Sequence, residues 1–90
     1  MTDLATAPAF RRGVKFRFDT VRGAWMLLAP EKLLLPDEIA VEILKLVDGA
    51  RSIDVIVDDL AARFDAPRAT IASDVLEALE NLAAKGAVQL

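Results

Sequence analysis

Cysteine, histidine and tyrosine are absent from the 90 residues of this sequence. Without cysteine the chain cannot form a disulfide or a thiolate metal site, and without histidine it lacks the usual general base at neutral pH. Its four glycines stand singly, so it has no glycine-rich phosphate loop. Asp58 and Asp59 are adjacent, but neighbours on a helix point in different directions, which predicts solvated charges. The sequence therefore predicts a protein that is not an enzyme and holds no metal or cofactor.

Long apolar runs are also lacking, since none approaches the roughly 18 residues that a membrane helix needs. The first twelve residues, MTDLATAPAFRR, lack the basic region and apolar stretch of a signal peptide. A chain without cysteine fits a reducing compartment. These features predict a cytoplasmic location and no membrane partner.

The length of the chain allows one domain with a single core, and 54% of the residues are hydrophobic. Residues 1–12 are rich in alanine, threonine and proline without periodicity, which predicts a flexible arm ahead of a single domain, residues 13–90. The net charge is −3, with bases concentrated near the N-terminus and acids further along. This asymmetry either orients a partner or is an ordinary solvated surface.

Three short segments predict a small antiparallel sheet. Residues 14–18, VKFRF, alternate apolar and charged side chains, as in a half-buried strand. Residues 19–23 form a turn, and residues 25–29 predict a second, more covered strand. Pro30 and Glu31 interrupt the apolar run, and residues 32–35 predict the third strand.

Three helices follow these strands. Pro36 suits the first turn of the first helix, and Gly49 suits its end. Ser52 suits the cap of the second helix. Pro67 suits the start of the third helix, and Gly86 suits its end. Apolar residues at helical spacing give each helix a predicted core-facing stripe. The stripe of the first helix is Ile39, Ala40, Ile43, Leu44 and Val47, and that of the second is Ile53, Ile56, Val57, Leu60 and Phe64. The stripe of the third helix is Ile71, Val75, Leu76, Leu79, Leu82 and Ala83. The tail, residues 87–90, either pairs or frays. This order predicts an α+β, winged-helix-like fold, with a three-stranded antiparallel sheet followed by three helices.

The third predicted strand is too short to satisfy its backbone by itself. If it lies at a sheet edge, it can accept an extended peptide from another chain. The sequence thus predicts a protein that holds another chain. An exposed edge also allows pairing with a second copy, so either a monomer or a homodimer is expected.

Several segments resemble the PqqD family, the peptide chaperones of pyrroloquinoline quinone biosynthesis. They are RFDTVRGAWMLLAPEKLLLPDEIAVEIL, DGARSIDVIVDDLAARFDAP and IASDVLEAL, and the resemblance runs from about Val14 to Gly86. Its most specific parts are residues 27–38, the helix stop at Asp48 and Gly49, and residues 57–62.

The resemblance implies a recognition element that binds a ribosomally made, PqqA-like precursor peptide by β-augmentation. It further implies that the peptide is presented to a PqqE-like radical S-adenosylmethionine enzyme. The peptide-binding residues it implies are Lys32, Leu33, Leu34 and Leu35 on the strand, and Ile71, Asp74, Val75, Ala78, Leu79 and Leu82 on the third helix. Which of the three leucines faces the core stays open.

The main competing function is DNA binding, because the order of the helices permits a winged helix. A recognition helix should present Lys or Arg to the phosphates. The second helix instead sets Arg63 alone against Asp54, Asp58 and Asp59. The sequence therefore disfavours a nucleic-acid partner.

Overall fold

A three-stranded antiparallel sheet and three helices make up most of the chain. The computed structural model describes residues 2–90. Its elements are β1 (Ala9–Phe10), β2 (Lys15–Asp19), β3 (Ala24–Ala29), β4 (Lys32–Leu34), α1 (Glu38–Leu44), α2 (Ile53–Phe64), α3 (Arg68–Ala84) and β5 (Val88–Gln89). The predicted α+β class is confirmed, and winged-helix-like is only a loose description of it. The sequence did not predict a second, two-stranded sheet, in which β1 pairs with β5.

The main sheet has the order β2-β3-β4 and one face turned toward the helices. Leu27, in the central strand, is completely buried and pairs with Phe16 on one side and Leu34 on the other. Phe16 stacks on Trp25 with a centroid distance of 4.6 Å. The apolar face predicted for the first strand is therefore present, although Phe18 at its end is exposed.

The helix starts follow local capping chemistry. The Asp37 carboxylate accepts a hydrogen bond from the Ala40 N–H at 2.8 Å, so Asp37 and not Pro36 marks the start of α1. The Ser52 hydroxyl accepts from the Val55 N–H at 3.3 Å, as predicted. The first helix is shorter than predicted because it ends at Leu44, after which the chain continues in tight turns.

The core lies between the sheet and the three helices. Its buried members are Leu27, Ile43, Leu44, Val47, Ile53, Ile56, Val57, Leu60, Val75, Leu79, Leu82, Ala87 and Val88. The prediction that Ile39 and Phe64 face the core is wrong, since their side chains are 58% and 54% exposed. Each lies at the end of a helix, where the neighbouring element no longer covers it, and Val41 is buried in α1 instead.

The predicted flexible arm needs correction over its described part, residues 2–12. The Ile53 N–H donates to the Thr6 carbonyl at 2.9 Å, and the Asp54 N–H donates to the Leu4 carbonyl at 3.0 Å. These bonds satisfy two of the N–H groups that every helix start leaves without an internal partner. Pro8 is also buried. The N-terminal segment thus covers the start of α2.

The two chain ends also pair with each other. Ala9 lies opposite Gln89 and Phe10 opposite Val88 in an antiparallel pair. The sequence predicted that the tail either pairs or frays. It pairs, and Val88–Gln89 form a strand. Over residues 2–90, no helix has the length and apolarity needed to cross a membrane.

Removal of residues 2–10 is expected to destabilise the fold, because α2 loses its two carbonyl acceptors and Val88 loses its cover. We expect a loss of roughly 2–4 kcal/mol in the free energy of unfolding. Urea unfolding followed by circular dichroism measures it. Deletion of Thr2 and Asp3 alone serves as the control, and an unchanged unfolding midpoint in the longer deletion would mean that the segment is a mobile arm.

Candidate functional site

Strand β4 forms one edge of the main sheet. It pairs with β3 on one side, and its other side has no strand partner among residues 2–90. The segment that follows β4 lies across a groove from α3. An unpaired edge next to a gap is the arrangement that a guest strand requires.

The leucines of the edge segment point in different directions. Leu34 pairs with the buried Leu27 and packs against the core. Leu33 and Leu35 are 43% and 63% exposed. Because side chains alternate along a strand, Leu33 and Leu35 belong to the outer face and Leu34 to the core face.

The backbone of Leu33 faces the free side of β4. A two-residue turn joins β3 to β4, so Ala29 and Lys32 close the hairpin and exchange both backbone hydrogen bonds. Bonded and non-bonded pairs alternate, which makes the Leu28–Leu33 pair non-bonded. The N–H and C=O of Leu33 therefore point outward, whereas those of Leu34 point toward β3.

A groove of about 450 Å³ runs between the chain that follows β4 and α3. One wall holds Leu35, Pro36, Asp37, Ile39 and Ala40, and the other holds Asp74, Glu77, Ala78, Asn81, Leu82 and Lys85. The positions on α3 are spaced three and four residues apart, so they form one continuous stripe. Asp74 and Lys85 at its ends are about 16 Å apart along the helix axis.

The structure brings only part of the predicted site to this groove. Leu35, Asp74, Ala78 and Leu82 line it. Lys32 closes one end, because its Nζ donates to the Lys85 carbonyl oxygen at 3.1 Å.

Two of the other predicted residues belong to the core. Val75 and Leu79 are almost completely buried, and Val75 also contributes to the wall of a neighbouring groove. Ile71 is half-buried and lies in the same neighbouring groove.

The neighbouring groove is larger, about 1070 Å³, and shares Pro36, Ile39 and Asp74 with the first. Its walls include Trp25 and Phe64. The two grooves therefore adjoin each other past the end of β4.

Two cations lie over the aromatic rings of the larger groove. Lys45 Nζ is 5.4 Å from the Trp25 ring centroid, and the Arg63 guanidinium carbon is 5.4 Å from that of Phe64. Both cations also contact Glu42, at 3.1 Å and 3.2 Å. The hydrogen bond from Lys45, followed by the charges of Lys45 and Arg63, holds the pKa of Glu42 below its ordinary value of 4.5.

No group of three or more carboxylates within residues 2–90 is arranged to hold a metal ion. No buried side-chain nitrogen or oxygen in that part of the chain lacks a hydrogen-bond partner. The site is therefore built from backbone groups, apolar walls and surface charges, which suit binding of an extended chain.

The family model of coenzyme PQQ synthesis protein D (PqqD) matches residues 24–88 of the chain. The chain belongs to the PqqD family. A curated relative from Rhodopseudomonas palustris strain BisB5, named PqqA binding protein, is 54% identical over 82 residues, which cover 91% of this chain and 80% of the relative. A PqqA binding protein from Xanthomonas oryzae is 43% identical over 83 residues, 92% of this chain and 90% of the relative.

Solved structures of PqqD proteins share this fold. The solution structure of the PqqD part of Methylobacterium extorquens PqqCD superposes with a TM-score of 0.78 at 42% identity, covering 92% of this chain and 88% of that one. Its authors describe a stand-alone recognition element for a ribosomally synthesised and post-translationally modified peptide. The crystal structure of PqqD from Xanthomonas campestris superposes with a TM-score of 0.63 at 37% identity, with both chains fully covered.

The sequence did not assign some groove residues of this PqqD-family chain to the site. Pro36 and Asp37 were assigned to the helix start, and Ile39 and Phe64 to the core. The sequence gives Lys85 no role in peptide recognition, and it leaves Asp74 and Glu77 either as contacts for basic groups of a guest peptide or as solvated charges. The signal available for Ile39 and Phe64 was their place at helix ends, where apolar residues are least certain to be covered.

Replacement of Lys45 by alanine is expected to raise the pKa of Glu42 toward 4.5, and replacement of Arg63 is expected to raise it less. Since the folded pKa is lowered, the stability that this carboxylate contributes is complete above pH 4.5 and is lost as the pH falls through the lowered value. A pH titration of the Glu42 carboxyl carbon by NMR measures the pKa. Lys85→Ala is the control, and equal midpoints in wild type and Lys45→Ala would contradict the assignment.

Proposed function

We propose that this protein is a non-catalytic adaptor that binds a PqqA-type precursor peptide as an added strand on β4. The names of its curated relatives and the recognition role of its structural relative support the proposal. The observation that carries it is the unpaired edge of β4 beside the groove along α3. Main-chain bonds at this edge supply affinity, and alternate guest side chains enter the groove and supply specificity.

The size of the groove limits the length of the paired segment. An extended strand rises about 3.3 Å per residue, so about five guest residues span the 16 Å stripe on α3. A longer guest continues into the larger groove, where Trp25, Ile39 and Phe64 offer apolar surface. Leu33 remains beside the guest on the outer face of the sheet, as a cross-strand neighbour, and Leu35 contributes to the groove wall.

The adaptor then presents its guest to a radical S-adenosylmethionine enzyme in pyrroloquinoline quinone biosynthesis, in the cytoplasm. The chain has no cysteine, histidine or tyrosine to contribute to the chemistry. Its contribution is effective concentration, because a tethered guest meets the enzyme's active site as if the encounter were intramolecular. The rate of peptide modification by the enzyme, measured with and without the adaptor at limiting peptide concentration, tests this step.

DNA binding is not favoured by the charges of α2 and α3. Arg68, at the start of α3, bonds Asp58 and Asp54 at 2.7 Å and 2.8 Å. Arg63 is likewise engaged, with Asp59 at 2.9 Å and with Glu42. These cations are paired with acids on the same surface, which leaves little positive potential for phosphates.

Leu33→Pro is expected to weaken binding of the precursor peptide about tenfold or more. Proline removes the outward N–H, and its ring occupies the position of the guest backbone. No β3–β4 hydrogen bond is lost, because the N–H of Leu33 does not face β3. Calorimetric titration with the precursor peptide measures the affinity.

Leu33→Ala is the matched control, since it keeps the N–H and removes only side-chain surface. Wild-type affinity in a folded Leu33→Pro protein would mean that the guest does not pair at this edge. If that variant instead separates a dimer in sedimentation and binds peptide normally, the edge serves pairing between two copies.

Ala78→Phe tests the groove independently of the edge. The larger ring fills space between α3 and the segment after β4, so we expect an affinity loss of about tenfold with little change in melting temperature. Ala62→Phe, on an exposed position of α2 outside both grooves, is the control. Equal affinity in the two variants would place the guest's side chains elsewhere.

A further inference from the structure

The groove along α3 carries opposite charges at its two ends, and we propose that this polarity fixes the direction of the guest. The segment it selects is about five residues long and extended, with a basic residue at its amino end and an acidic residue at its carboxyl end. This inference rests on the proposed function, since it concerns a peptide paired with β4.

The acidic end of the groove lies past the end of β4. Asp74 and Glu77 stand on α3, one turn apart, and Asp37 stands on the opposite wall. The Asp37 carboxylate also caps α1. Neither Asp74 nor Glu77 forms an ion pair with any of residues 2–90. These two carboxylates are therefore available to a cation of the guest.

The basic end of the groove lies at the start of β4. Lys85, at the end of α3, has no carboxylate partner within residues 2–90. The ammonium of Lys32 is held at the Lys85 carbonyl, where α3 presents its negative dipole end. Two positive charges therefore meet here, about 16 Å from Asp74 along the helix axis.

The direction of the guest follows from the direction of β4. This strand starts beside Lys85, at the C-terminal end of α3, and the chain after it runs toward Asp74. The sheet is antiparallel throughout, so a guest that extends it in the same manner runs opposite to β4. Its amino end then lies at the acidic end of the groove and its carboxyl end beside Lys32 and Lys85.

The order of the charges along the guest should also affect how tightly it binds. In the reversed charge order, a guest acid faces Asp74 and Glu77 while a guest base faces Lys85. Like charges at both ends oppose that arrangement, which is how charged rims suppress wrong partners. These groups are exposed, so the preference should weaken as salt is added.

Two synthetic five-residue peptides of identical composition test the proposal, Lys-Val-Thr-Val-Glu and Glu-Val-Thr-Val-Lys. Both are acetylated and amidated to remove the terminal charges. Amide-shift titrations by NMR at low salt give both affinities. We expect the peptide with lysine first to bind about tenfold more tightly.

A charge-reversed protein provides the matching half of the experiment. Asp74→Lys, Glu77→Lys and Lys85→Glu together should invert the preference between the two peptides. Glu80→Lys, on the same helix but outside both grooves, should leave it unchanged. Chemical shifts of the free proteins show that each variant is folded.

Equal affinities for the two peptides, or tighter binding of the glutamate-first peptide, would overturn the proposal. The same holds if neither synthetic peptide binds while the full-length precursor peptide does, and the proposed function then stands without the charge rule. If the full-length precursor also fails to bind, the proposed function itself fails.

Discussion

The burial of Leu27 in the middle of the sheet is the constraint on which the site depends. Side chains in a strand alternate between two faces, so a slip of one residue would expose Leu27 and bury a neighbour instead. Its pairing with Leu34 places that leucine on the core face. Leu33 is then left with its side chain on the outer face and its backbone groups on the free edge. A single buried leucine in β3 thereby determines which atoms of β4 can receive a guest.

Much of this could be predicted from the sequence, because the signals were local. The alternation in residues 14–18, the break at Pro30 and the cap at Ser52 are each determined by neighbouring residues, and all appear in the structure except that Phe18 is exposed. Helix periodicity also identified most of the core. It failed at Ile39 and Phe64, because a helical stripe does not reveal where the opposing element ends. Both errors fall in the candidate site, where apolar side chains are left uncovered.

The N-terminal segment could not be predicted for a different reason. Strands β1 and β5 have two residues each, too few to show any periodicity. Their pairing joins positions at opposite ends of the chain, and the carbonyls of Leu4 and Thr6 bond a helix far from them in sequence. An alanine- and proline-rich composition is typical of loops, and only tertiary contacts make this loop part of the core.

The short edge strand also disfavours pairing between two copies of the protein. Long, flat edges invite self-association, and β4 has only three residues. A second copy pairing at β4 in antiparallel fashion about Leu33 would gain few main-chain bonds, because the strand has only three residues. A guest peptide gains the same bonds and also gains the walls of the groove along α3. The edge is therefore better suited to a foreign strand than to its own.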